Sequence, residues 1–228
     1  MGKYQTANNC LKALMLPPHH RENFINFIKN PYTRWEDEKK VIFIHIPKAA
    51  GKTISYSLLG APNGTGHQKL YVYERYKEKY RKYFKFTFIR NPWDRIVSAF
   101  FYMKGFDPQS NDRDFFDRYI GQETSFEEFI NRLSNPNYKK LILSWEHFTP
   151  QTAYMKNRSG NIDLDFIGRV ENINDDFAEL SSILRIDAKI TTRNAGVRTA
   201  YRDYYSGKMK EIVSSIYPED IGKLNYKY

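Results

Sequence analysis

Apolar positions along this chain fall into two kinds of pattern. Val41 to Ile46, Lys85 to Ile89 and Phe166 to Val170 are short runs rich in β-branched and aromatic residues and flanked by charge. Segments of that length predict strands, the first of them buried. Helical spacing predicts helices over Thr53 to Leu59, Trp93 to Met103 and Asp175 to Leu184, the last placing Phe177, Leu180, Ile183 and Leu184 on one face. Ser125-Phe126-Glu127-Glu128 has capping-box spacing and predicts a helix to Leu133, which Asn135-Pro136 ends. Residues 71–83, dense in Tyr, Lys and Glu, predict an exposed helix, and Tyr201 to Ile216 a helix interrupted at Ser206-Gly207.

Other stretches carry weaker signals. Breakers make Gly60 to Gly66 a loop. Residues 104–124, charged and glycine-punctuated, read as a lid or substrate loop. Residues 139–155 give no clear period beyond the apolar Leu141-Ile142-Leu143, and Thr191 to Thr199 reads as a polar, basic loop. Residues 1–40 read as a polar arm packed on one domain spanning 41–228, in which 104–160 is an insertion shaping an acceptor site. Strands alternating with helices predict an α/β domain: a mainly parallel central sheet flanked by helices.

Composition narrows the function classes. The 228 residues carry a net charge of +10, which suits a polyanionic cofactor, an acidic substrate, or simple solubility. The basic residues are scattered apart from Lys77 to Lys85, and no nucleic-acid module pattern occurs, so nucleic acid is not expected as a partner. With Cys10 as the single cysteine, an intrachain disulfide and a cysteine-based metal site are excluded. The five histidines show no close metal spacing, and no metal is expected. A membrane span needs about 18–20 consecutive apolar residues, and no run approaches that. The chain reads as cytoplasmic, or as the soluble catalytic part of a longer protein; its oligomeric state is open.

Two strand–turn–helix segments carry the chemistry. Val41 to Thr53 ends its apolar run in Pro47-Lys48-Ala49-Ala50-Gly51-Lys52-Thr53, and Phe86 to Ser98 ends its run in Arg90-Asn91-Pro92-Trp93-Asp94-Arg95. Such turns gather backbone N–H groups at a helix start, where an anion binds. Two of them suggest a ligand with phosphates at both ends. Gly51-Lys52-Thr53 matches the end of a Walker loop, but Ile46 stands where its first glycine belongs and Pro47 has no N–H to donate. A magnesium-dependent kinase is therefore a competing reading, and a non-catalytic nucleotide- or glycan-binding protein is another.

The first turn resembles the 5′-phosphosulfate loop of sulfotransferases that use 3′-phosphoadenylyl sulfate (PAPS), commonly written PKTGGTS. Arg90 to Phe100 resembles their 3′-phosphate motif, RNPxxRxxSxY/F, and Phe166 to Asn172 with Asp176-Phe177 resembles their GRxE segment and the helix after it. Pro150-Gln151 after His147 resembles a further element. The similarity runs from about Val41 to the C-terminal tyrosines. It points to the carbohydrate sulfotransferase group that includes the HNK-1, chondroitin/dermatan and uronyl/heparan 2-O enzymes. It implies a P-loop-kinase-like sulfotransferase core, PAPS as donor, 3′-phosphoadenosine 5′-phosphate as product, and a saccharide or other hydroxyl as acceptor.

On that resemblance the cofactor-binding candidates are Lys48, Ala50, Gly51, Lys52, Thr53, Arg90, Ser98 and Arg198. Lys48 is also a catalytic candidate, because its ammonium can meet charge growing on the bridging oxygen. Lys52 departs from the family pattern, which is usually uncharged there. Ser55 is a weaker phosphate candidate than Thr53. Arg95 can pair with Asp94 or a neighbouring helix, and Arg169 and Glu171 read as part of the wall beside the nucleotide or as a buried ion pair tying strand to helix. A sugar hydroxyl needs a base, and histidine suits near-neutral pH. His67 is the first candidate, matching the interval of a catalytic histidine in the uronyl and heparan 2-O members. His147 is the second, and Glu74 or Glu171 could serve instead or orient the histidine. His45, inside the first strand, reads as a core histidine.

Overall fold

The computed structural model describes residues 30–61, 64–105, 110–191 and 200–228. Among them the chain forms α1 (Arg34–Lys39), β1 (Val41–Ile44), α2 (Gly51–Leu59), α3 (Leu70–Tyr73), α4 (Lys77–Lys82), β2 (Phe84–Ile89) and α5 (Pro92–Lys104). Then follow α6 (Asn111–Tyr119), α7 (Phe126–Arg132), α8 (Pro136–Leu143), α9 (Thr152–Met155), β3 (Phe166–Arg169), α10 (Ile173–Leu184), α11 (Gly207–Ile216) and α12 (Pro218–Lys223). One-turn 3₁₀ segments cover Val170–Asn172 and Tyr201–Tyr204.

The three strands make one small parallel sheet in the order β1-β2-β3, with Val41 opposite Phe84 and Phe86 opposite Phe166. β1 is apolar throughout because both its faces are covered, and β2 interleaves the buried Lys85 and Thr87 with apolar residues, Thr87 donating to Ile44 O. Successive side chains point to opposite faces. Val41, Phe43, Phe86 and Phe88 meet Ile54 and Leu58 of α2 and Phe177 and Leu180 of α10. Ile42, Ile44 and Ile89 join the larger core under Ile96, Val97 and Phe100 of α5, Phe116 of α6 and Phe129 of α7. Gly168 in β3 has a steric reason: a Cβ there would lie 2.5 Å from Phe88 Cε1.

Before β1, Thr33 and Glu36 complete a capping box on α1. The fully buried Glu36 carboxylate also accepts from Phe43 N and from the Tyr73 hydroxyl, tying α1 to β1 and α3. Burial raises this carboxyl to about 7.

Several expectations need correction. Residues 71–83 do not form one exposed helix: α3 and α4 are separate, and Leu70, Val72 and Tyr73 are buried. The segment expected as a lid contains α6, whose Phe115 and Phe116 enter the core. Asn135-Pro136 starts a helix as well as following one, since the Asn135 side chain accepts from Asn137 N and Tyr138 N at the head of α8. Ile183 is 48% exposed rather than part of the buried face of α10. Residues 1–29, with Cys10, His19 and His20, lie outside the described residues, as do Arg193 and Arg198. No helix among the described residues is long and apolar enough to cross a membrane.

Candidate active site

β1 ends at Ile44, and the chain reaches α2 through a turn in which Lys48 (φ 68°) and Ala50 (φ 59°) are left-handed. Neither is glycine, so each stores about 1–2 kcal/mol of backbone strain. The turn is held from beneath by Arg95 of α5, which is 1% exposed. Its Nε donates to Pro47 O at 3.0 Å, and its Nη2 to His147 O at 3.3 Å and Thr149 O at 2.8 Å. Arg95 therefore bonds three carbonyls and does not take Asp94, one of the two partners expected from sequence.

Gly51 opens α2 against the ring of His45: a Cβ at Gly51 would lie 1.7 Å from His45 Cδ2. Close approach, rather than backbone freedom, demands glycine here. The first N–H groups of a helix lack intrahelical partners, and Ala50, Gly51, Lys52 and Thr53 stand at that end of α2. Thr53 is buried and Lys52 exposed. Ser55 is sealed in, donating to Gly51 O at 2.7 Å. The Lys48 ammonium lies 3.4 Å from the centre of the Tyr102 ring, a cation–π contact.

The second turn comes to the first. Arg90 Nη1 donates to Lys48 O at 3.2 Å and to Ser98 Oγ at 3.1 Å, while Nε pairs with Asp94 at 2.7 Å. The Arg90 Nη2 edge makes no hydrogen bond among the described residues. Asn91 caps α5, accepting from Trp93 N, and Pro92 takes the first helical position, where its missing N–H does no harm. Distant elements fix the backbone of this turn. The Gln151 side chain accepts from Arg90 N at 2.9 Å and donates to Arg90 O at 2.8 Å. Glu171 accepts from Asn91 N at 2.5 Å and from the Tyr226 hydroxyl. Arg169 donates to Leu224 O, so Arg169 and Glu171 do not form the ion pair expected from sequence.

Beside these turns three histidines gather. The His45 and His67 ring centres are 4.2 Å apart, and those of His67 and His147 6.2 Å. His67 Nδ1 lies 2.9 Å from His45 O. A carbonyl only accepts, so the neutral ring carries its proton on Nδ1 and its lone pair on Nε2. Burial pushes the His67 pKa down, which keeps Nε2 unprotonated at neutral pH. His147 is more enclosed, 4% exposed, and its Nε2 faces the Asp112 carboxylate at 3.1 Å. Burial alone would raise Asp112, but the hydrogen bonds from His147 and Trp145 outweigh it and hold this carboxyl low. Glu146 Oε1 lies 3.9 Å from Nε2 of both His67 and His147, and burial raises its pKa. His45 is buried, and burial holds it neutral. No group of three or more His, Cys, Asp or Glu among the described residues is placed to hold a metal ion.

A family model described as "Sulfotransferase family" matches residues 31–228. The chain belongs to the sulfotransferase family. Carbohydrate sulfotransferase 12 of Mus musculus is 30% identical over 135 residues, covering 50% of this chain and 31% of that protein. Carbohydrate sulfotransferase 11 of Rattus norvegicus is 26% identical over 172 residues, covering 64% of this chain and 47% of that protein. An uncharacterized protein of Archaeoglobus fulgidus is 30% identical over 129 residues, 57% of this chain and 88% of its own length. This sulfotransferase thus spans about a third to a half of the carbohydrate sulfotransferases it matches. No solved structure matches.

Of the residues nominated from this sulfotransferase's sequence, the structure brings Lys48, Arg90 and Ser98 into one bonded group, with Ala50, Gly51, Lys52 and Thr53 at the adjoining helix start. His67 and His147 stand in the histidine cluster. Glu74 bonds Arg158 and Glu171 holds Asn91, so neither orients a histidine. Sequence reasoning missed Asp112, Glu146 and Tyr102. The adjacency of Glu146 to His147 was the one signal for them.

Proposed function

We propose that this protein transfers a sulfuryl group from PAPS to a hydroxyl, of a saccharide in the first instance, on a P-loop-kinase-like core. The observation that carries the reading is the bond from Arg90 Nη1 to Lys48 O, which unites two anion-type turns in one place. The residues present fit a nucleotide with phosphates at both ends. The first turn of α2 offers N–H groups and the Lys48 ammonium to one end, and Arg90, whose Nη2 edge is unbonded among the described residues, offers itself with Ser98 to the other. The donor brings an activated sulfuryl group and a phosphate leaving group.

The chain's own residues do the rest. Lys48 presents positive charge where the leaving oxygen becomes negative. Arg95 and the Arg90 bridge keep that turn in its strained shape. His67 Nε2 accepts the proton of the acceptor hydroxyl, and His147, enclosed against Asp112, is the poorer base. The carbohydrate sulfotransferase relatives support a saccharide acceptor, and the basic balance suits an acidic one.

Calorimetric titration with adenosine 3′,5′-bisphosphate and with AMP tests the reading. A dedicated second phosphate site predicts at least about tenfold tighter binding of the bisphosphate, since a charge-assisted contact contributes about 1.5–3 kcal/mol. Equal affinities would sink it.

A further inference from the structure

We propose that Glu146 is the proton carrier for His67, taking the proton from Nε2 and passing it to water. The inference rests on the transferase reading above for its purpose and on geometry for its substance. His67 presents one lone pair, on Nε2, because Nδ1–H is held by His45 O. The carboxylate facing that nitrogen is Glu146, with Oε1 at 3.9 Å. A small rotation of the glutamate or one bridging water closes that gap. Glu146 is equally near His147, but Asp112 already takes the Nε2 proton of that ring at 3.1 Å, which leaves Glu146 for His67. The Glu146 side chain is 33% exposed against 23% for His67, so the route runs outward. Tyr154 donates to the Glu146 backbone carbonyl and fixes its stem.

The charged and titratable groups around the pair include His147 beside Glu146, Asp112 of α6, Tyr102 of α5, Tyr154 of α9, and Lys48 and Lys52 of the first turn, with His45 behind His67. Burial raises the Glu146 carboxyl and lowers the His67 imidazole, so their proton affinities converge. Matched affinities are what a relay requires. As the acceptor oxygen bonds to sulfur, the bond from sulfur to the donor's bridging oxygen breaks and its electron pair leaves with the phosphate, while the acceptor's proton moves to Nε2, then to Oε1 and on to water. His67 returns neutral with Nδ1 still protonated, and no redox change occurs.

An NMR titration of the His67 imidazole in the ligand-free protein tests this without any acceptor. In the wild type the pair shares its first proton, so the resonance moves in two steps. In Glu146→Gln, which keeps the side-chain shape, it moves in one. Adenosine 3′,5′-bisphosphate affinity checks that the variant is folded. In turnover, Glu146→Gln lowers kcat roughly 10–100-fold at unchanged acceptor KM and displaces the acid limb of the pH profile. The same single-step titration in both proteins overturns the proposal even if transfer is observed. Equal binding of AMP and the bisphosphate would instead strike the transferase reading and leave a two-step titration standing.

Discussion

Between Ile44 and Gly51 the chain bends through two left-handed residues that carry side chains, Lys48 and Ala50. Between Ile89 and Pro92 it bends through Arg90 and Asn91 without a positive φ. The sequence makes these turns look like copies, each an apolar strand followed by basic residues and a helix. The fold treats them differently. The first is strained and seated on Arg95, a charge that bonds carbonyl oxygens from beneath. The second is relaxed and clamped by Gln151, Glu171 and the carbonyl of Lys227, all from elements far along the chain. On the proposed function, strain sits where Lys48 would point at reacting atoms, and ordinary geometry suffices where Arg90 would grip a static group.

The largest expected effect falls on the first turn. Arg95→Met keeps the apolar volume but orphans three buried carbonyls, and a urea melt should show about 3–5 kcal/mol lost. A loss under about 1 kcal/mol would mean that the strained turn holds itself. Arg90→Ala should weaken bisphosphate binding by about 2–4 kcal/mol, and calorimetry showing less than about 0.5 would remove Arg90 from the site. Gln151→Leu deletes both amide bonds to the Arg90 backbone and should lower stability by about 2 kcal/mol. If it leaves both stability and bisphosphate affinity intact, the second turn needs no clamp. The smallest effect has the opposite sign. Ala50→Gly relieves a left-handed Cβ at some entropic cost, and thermal unfolding should report a gain of about 0.5–1 kcal/mol. A loss there would show that Ala50 is not strained.

How much of this could be read from sequence follows from the range of each interaction. β1 was legible because burial on both faces leaves an unbroken apolar run, and β2 because Phe86, Phe88 and Ile89 with the β-branched Thr87 form a short strand-length segment flanked by charge. Both turns were legible because their residue types are local. α6 was not: Asp112, Arg113, Asp114, Asp117 and Arg118 give it a polar composition that hides the inward pair Phe115-Phe116. Arg95 offered a pairing with Asp94 or a neighbouring helix, and only its burial against the carbonyls of Pro47, His147 and Thr149 reveals that its face of α5 points inward. Asp112 and Glu146 escaped because their partners are tertiary. No spacing along the chain links a carboxylate of α6 to His147, or Glu146 just beyond α8 to a histidine in the loop before α3. Ser55 shows the reverse error: a hydroxyl in the right motif whose bond turns back onto its own helix.

The hydrogen bond from Asn91 to the carbonyl of Lys227 joins residues 136 positions apart. Contacts so distant in sequence close late, after the sheet and its covering helices have condensed. A newly made chain can thus possess its strands and core while the grip of Arg90 is still loose. Mild denaturant should undo the same contact first, leaving a protein that is compact by spectroscopy and yet, on the proposed function, unable to hold the nucleotide.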